Sequence, residues 1–181
     1  MILESDNEAT NILVDQIDVD TLNRSMWNLG MCNTMFGHLL CPGVPRYTSA
    51  FNEDGSNITS PNDMNLALRH IYDDRFSSLN PWVRSEAKEM MGKSNASLIH
   101  SDSLQGRSIN AKIGVISDVE DGQDLHEVAI IDERLIVSIM MNKIGRELLQ
   151  GKKYAHSVNT SHMYKIISNT LGEYLNATDQ M

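Results

Sequence analysis

No run of apolar residues in this chain approaches the ~20 needed to span a bilayer, and no stripe of basic residues is present. Lysine and arginine number 15 against 24 aspartates and glutamates, a formal net charge of −9, which argues against nucleic acid or an anionic membrane as partner. Cysteine is scarce. Cys32 and Cys41 read as unpaired thiols or small core residues, and the sequence leaves a loop-closing disulfide open. The six histidines are scattered, without ligand spacing on one helix face, so no metal site is expected, and no pattern asks for a cofactor. A basic, apolar leader is also missing, because the opening residues include Glu4 and Asp6. What remains is 181 residues, 41% hydrophobic and 22% charged, which is one globular domain with enough length for a core.

The chain opens on Ser5-Asp6-Asn7, directly before an apolar helical pattern in which Ala9, Ile12, Leu13 and Ile17 share one face. Two readings compete for it. Ser5 can cap the helix while Glu8 closes a capping box, or Ser5 and Asn7 can form the polar wall of an acyl-transfer site. A helix is expected over 8–16, then a second with Leu22, Met26 and Leu29 on one stripe, stopped by Gly30. Residues 31–60 are irregular, with Pro42, Gly43 and Pro45 breaking any element. Thr59-Ser60-Pro61 starts a helix with Met64, Leu68, Ile71 and Tyr72 inward, and Asn80-Pro81 starts another with Val83, Ala87, Met90 and Met91 inward. The methionines read as core.

Three strands follow, over 109–117, 126–131 and 134–142, joined by short connections that imply antiparallel hairpins. The third is apolar on both faces (Leu135, Ile136, Val137, Ile139, Met140, Met141), as expected for the middle strand of a covered sheet. A final helix is expected over 161–175, with Met163, Ile166, Ile167, Leu171 and Tyr174 inward.

Lys112-Ile113-Gly114 lies in the first strand. Ser-Asp-Asn, then a long helical stretch, then a strand bearing Lys-x-Gly, resembles the class A serine β-lactamases and their penicillin-recognising relatives. The segments Asn57-Ile58-Thr59-Ser60-Pro61-Asn62-Asp63-Met64 and Leu125-His126-Glu127-Val128-Ala129-Ile130-Ile131 extend the resemblance in family order over nearly the whole chain.

The resemblance implies an α/β (α+β) fold, an antiparallel sheet packed by helices plus an all-helical subdomain, with residues 1–105 helical and 106–181 supplying three strands and the last helix. It also implies site roles. Ser5 relays a proton to the departing ring nitrogen, and Asn7 holds the substrate's side-chain amide. Lys112 supplies positive potential, Gly114 lets the backbone approach the substrate, and the Val115 N–H is half of an oxyanion hole. His126 is expected to be structural.

The family's Ser-x-x-Lys nucleophile lies upstream of Ser-Asp-Asn, where only four residues stand here, so the chain is expected to be the C-terminal two-thirds of the fold, lacking the first strands and the nucleophile helix. Ser85-Glu86-Ala87-Lys88 has the spacing but the wrong place in the order. The family's deacylating Glu has no counterpart at Leu40-Cys41-Pro42-Gly43, and the Glu53/Asn57 pair stands too close to Pro61 to match it.

Ile113 replaces the family's Thr or Ser. It cannot hydrogen-bond a substrate carboxylate, a loss on the order of 1.5–3 kcal/mol. The expected activity is therefore serine β-lactamase-like amide hydrolysis, with this chain alone inactive. The alternative is a non-catalytic remnant of the fold that binds a partner or a peptidoglycan-like ligand. Expected partners are a β-lactam or peptidoglycan-like small molecule, and either a second copy or a complementary N-terminal fragment. Full-length relatives are often exported.

Overall fold

The computed structural model describes residues 1–40, 56–94, 97–118, 122–144 and 156–180. They form two compact units, 1–94 and 95–181. No helix among the described residues is long and apolar enough to cross a membrane.

The first unit is helical: α1 (Asn7–Ile17), α2 (Val19–Asn28), α3 (Pro61–Tyr72) and α4 (Pro81–Gly92). Its helix starts follow cap chemistry. Asp6, not Ser5, caps α1, its carboxylate accepting the Ala9 N–H at 3.0 Å. The expected Ser5/Glu8 box therefore gives way to an acid one residue further on, which satisfies the Ala9 N–H instead of that of Glu8 and adds a charge favourable to the positive helix end. Ser60 caps α3, accepting the Asp63 N–H at 3.2 Å ahead of Pro61, and Asn80 caps α4, accepting the Trp82 N–H at 2.8 Å. Both starts are as the sequence implied. Gly30, at φ +89°, follows the end of α2, a left-handed position that favours glycine.

The core of this unit comprises Val14, Met31, Met35, Leu39, Leu68, Tyr72 and Met91. The expected α1 stripe is not the packed one: Val14 is buried, while Ile12, Leu13 and Ile17 are about half exposed. On α4, Met91 is buried, but Val83 and Met90 face outward. Both helices carry apolar residues on more than one face, and periodicity alone does not select between them.

The second unit is an antiparallel sheet of β1 (Ile109–Asp118), β2 (Gly122–Ile131) and β3 (Leu135–Ile144), in the order β1-β2-β3, followed by α5 (His156–Thr178). β1 and β2 run in register from Ile109↔Ile131 to Asp118↔Gly122. β2 and β3 pair from Ile131↔Leu135, with an irregularity between Gln123 and Leu125. β2 is the central strand. β3, apolar on both faces like the middle strand of a covered sheet, is an edge among the described residues, as expected for this strand without the family's first two strands.

One sheet face meets α5 and the one-turn helix Asp102–Leu104 in a cluster of Ile99, Leu104, Ala111, Leu125, Ala129, Ile131, Tyr164 and Leu175, with Ile113, Leu135, Val137, Ile139 and Met141 against it. Residues one apart along each strand leave that face, as the two-residue period of a strand requires. The packed face of α5 is Tyr164, Ser168, Leu171, Gly172 and Leu175, while Met163, Ile166 and Tyr174, expected inward, are about half exposed. The packed stripe includes Gly172, where an added Cβ would meet Ser103, so the helix seats on its smallest residue.

The β2–β3 turn places Asp132 and Glu133 at φ +53° and +52°, closed by the Arg134 N–H to the Ile131 carbonyl at 3.0 Å. Left-handed backbone costs a non-glycine residue roughly 1 kcal/mol. Asp132 is retained there for its contacts: it accepts from the Ser108 N–H at 3.0 Å and from Arg107 at 2.6 Å. Glu133→Gly is therefore expected to raise unfolding free energy by about 0.5–1 kcal/mol in urea titration. An unchanged or lower value would show that the contacts of Glu133 outweigh the strain.

Arg107 also reaches Asp179 at 2.7 Å and Asn176 at 2.8 Å, and Arg134 holds the other Asp179 oxygen at 2.7 Å, tying the last turn of α5 to the hairpin.

Candidate active site

Each unit carries part of the predicted motif set. In the first, Ser5 is exposed and takes φ +50° immediately before the Asp6 cap. A left-handed serine is uncommon, and residues held in such conformations cluster at functional sites. Asn7 is the first residue of α1 and is exposed.

The irregular stretch after α2 is held by asparagines and one buried aspartate. Asn23 accepts the Phe36 N–H at 2.7 Å and donates to the Phe36 carbonyl at 3.0 Å. Asn57 accepts the N–H groups of Gly37 and His38 at 2.7 and 2.9 Å and returns a bond to the His38 carbonyl at 3.1 Å. It closes residues 37–38 against 57–58, beside the Met35–Ile58 bridge. Asn11 accepts the Leu40 N–H at 2.7 Å, bringing α1 to the same segment. Glu53 and Cys41 lie outside the described residues; Cys32 is an exposed free thiol.

Asp63, 4% exposed, accepts from the Asn33 N–H at 2.7 Å, the Thr34 hydroxyl at 2.8 Å and the Asn33 amide at 3.3 Å. Burial pushes its carboxyl up, but the bonds from Thr34, Asn33 and Ser60 outweigh it and hold it below the usual aspartate range. The sequence offered it only as an acid in the first turn of a helix.

Of the Ser85/Lys88 pair, Ser85 is exposed on α4, and the Lys88 ammonium stands over the Tyr72 ring at 5.2 Å.

In the second unit, Lys112 to Val115 lie on β1, the edge opposite β3. The Lys112 ammonium donates to the Ile113 carbonyl at 2.7 Å, and burial lowers its pKa. Ile113 is turned to the core cluster, so its branched alkyl group serves packing. Gly114 is open: a Cβ built there meets nothing within 4 Å, and Val115 beside it is 53% exposed. Packing among the described residues thus gives no reason for a glycine at 114.

Behind this strand is a residue the sequence reading did not single out as a site. Glu127 pairs across from Ile113 and is 0% exposed. Its carboxylate accepts from the Ser97 hydroxyl at 2.6 Å and the Leu98 N–H at 3.1 Å. Burial raises its pKa, opposed by those bonds and by the charge of His100. The Tyr164 hydroxyl faces the same carboxylate without closing a well-formed hydrogen bond, and burial together with that charge pushes the phenol upward. Ser168 Oγ is also buried with no partner among the described residues. The period of β2 held the signal: Glu127 shares a face with the inward Leu125, Ala129 and Ile131.

No group of His, Cys, Asp and Glu residues among the described residues is arranged to hold a metal ion.

The described residues thus comprise a unit of capped helices opening on Ser5-Asp6-Asn7 and a unit in which an antiparallel sheet is backed by a terminal helix. The family model described as the beta-lactamase enzyme family matches residues 1–171, and the chain belongs to that family. Among solved structures, the chromosome-encoded β-lactamase of Vibrio parahaemolyticus is similar at 20% identity and TM-score 0.62, over 96% of this chain and 62% of that one. A β-lactamase of Desulfarculus baarsii is similar at 16% identity and TM-score 0.64, over 94% and 61% respectively. The TLA-1 extended-spectrum β-lactamase is similar at 16% identity and TM-score 0.67, over 96% and 61%. The likeness shows the fold, and the chain spans about three-fifths of the length of these structures. No curated protein matches the chain.

Proposed function

We propose that the chain carries the substrate-holding and proton-relaying residues of a serine β-lactamase-like hydrolase, acting on a β-lactam or a related amide. The observation that supports this reading is the Lys112–Val115 stretch of β1, an outer strand of the sheet among the described residues, with a glycine at which an added Cβ meets nothing within 4 Å and a lysine of lowered pKa. Lys112 supplies positive potential for a carboxylate. The Val115 N–H serves as an oxyanion donor, worth about 2.7–4 kcal/mol in acyl-transfer sites. Ser5 passes a proton to the leaving nitrogen and Asn7 holds a side-chain amide of the substrate.

These groups stabilise an attack without making one. Ser85 exposed on α4 and the Lys88 ammonium over the Tyr72 ring support the reading that this pair is not a nucleophile and that the chain alone forms no acyl-enzyme. Ile113 in the core cluster favours a second reading, recognition without hydrolysis, because the hydroxyl that would orient a substrate carboxylate is replaced by packing.

Intact mass after incubation with a fluorescent penicillin tests the first part. The expected result is no adduct, against a full-length relative as control, and a stoichiometric adduct would overturn the assignment. Ligand-observed NMR with the same penicillin tests the second. Binding is expected to weaken at least tenfold in Lys112→Ala, and binding indifferent to Lys112 would remove that residue from the site.

A further inference from the structure

Ala111, Ile113, Leu125 and Ala129 lie on the α5 side of the sheet. By the two-residue period of a strand, Lys112, Gly114 and His126 share the opposite face. Gly114 is paired with His126, so the imidazole stands across from a residue with no side chain of its own. Lys112, two residues along from Gly114, is the diagonal neighbour of His126. Such neighbours are about 7–8 Å apart, within joint reach of a long side chain and a ring. β2 is also irregular just before this position, between Gln123 and Leu125, and irregularities of this kind re-aim side chains.

A histidine kept only for structure has its buried nitrogen bonded. The buried Nδ1 of His126 has no hydrogen-bond partner among the described residues. A buried N–H without an acceptor is worse than a buried lone pair without a donor, so Nδ1 is best left bare and the proton placed on Nε2. The neutral ring then offers one N–H donor. The adjacent strand lacks such a group, because Ile113 is turned to the core cluster and has no hydroxyl for a carboxylate.

We propose that His126 is a specificity-determining residue of this site. Its Nε2–H donates to the ligand carboxylate that Lys112 attracts, and takes over the hydrogen bond that Ile113 cannot make. The inference rests on the role proposed above for Lys112. Hydrogen bonds to an ionised acceptor are roughly twice as strong as neutral ones, so the pair favours a ligand acid over its neutral ester.

The test is NMR of the full chain with nitrogen-labelled histidine, the His126 signals being assigned by their loss in His126→Gln. Without ligand, the neutral His126 ring should carry its proton on Nε2, and the fluorescent penicillin should shift that nitrogen. Ligand-observed NMR then ranks the variants. His126→Phe should weaken the penicillin roughly tenfold or more. His126→Gln, whose amide N–H can stand where Nε2–H stood, should recover binding to within about threefold of the unaltered protein. Recovery in the glutamine variant is a result that a merely structural histidine would not give. A ring protonated at Nδ1, a glutamine variant no better than His126→Phe, or a His126→Phe that binds normally while Lys112→Ala binds weakly overturns the part given to His126 and leaves Lys112 in place. Binding that is absent, or indifferent to Lys112→Ala, overturns the reading of the site and this inference with it.

Discussion

Asp63→Ala is expected to lower the unfolding free energy of the helical unit by roughly 3–4 kcal/mol, measured by urea titration. The change removes one acceptor and strands several donors. The Asn33 N–H and the Thr34 hydroxyl lose bonds of 2.7 and 2.8 Å, and both lie in a part-buried site from which water is largely excluded. Asp63→Asn keeps one oxygen and should cost less than half as much. The pH dependence follows from the lowered pKa of the group. Its contribution is complete above the ordinary aspartate value of 3.8 and is lost as pH falls through the lower folded value. Acid unfolding of the unaltered protein should therefore be steeper below pH 4 than that of Asp63→Asn. Equal slopes would show that Asp63 is not the ionised anchor of this loop.

Glu127→Ala is expected to cost roughly 2–4 kcal/mol by leaving the Leu98 N–H and the Ser97 hydroxyl without their acceptor and opening a cavity under the sheet. Glu127→Gln should behave differently. It keeps an oxygen for both donors and carries no charge into a fully buried site. The linkage has the opposite sign to that of Asp63, because burial raises the Glu127 pKa from the ordinary 4.5. The folded protein then holds this proton more tightly than the unfolded chain. The stability it adds is complete below 4.5 and is lost as pH rises through the folded value. Above that range Glu127→Gln should equal or exceed the unaltered protein in thermal midpoint, with a flatter pH profile. If it were as damaging as Glu127→Ala, the ionised carboxylate itself would be the structural element.

These two residues mark where the sequence was legible and where it was not. Starts encoded by neighbours in the chain, Ser60-Pro61 and Asn80-Pro81, appear at the expected residues, because a cap is made within one helical turn. The hairpins likewise follow from short connections. The packed faces of α1 and α5 did not follow. α5 offers two apolar stripes, and the one chosen holds Ser168 and Gly172, small enough for close approach. That choice depends on what the helix meets, which its own period does not encode. Asp63 and Glu127 escaped notice because a charged residue reads as outward until its partners, some 30 positions away in sequence, are known.

The site motifs themselves were legible as patterns in order. The structure added the left-handed turn at Ser5, the open space at Gly114 and the packing of Ile113.

The Asp179 clamp makes one carboxylate a shared point of failure. Two arginines from distant parts of the second unit converge on it. Its loss would leave Arg107, largely shielded from solvent, with Asp132 as its remaining acid. The end of α5 and the β2–β3 hairpin would then fray together rather than one after the other.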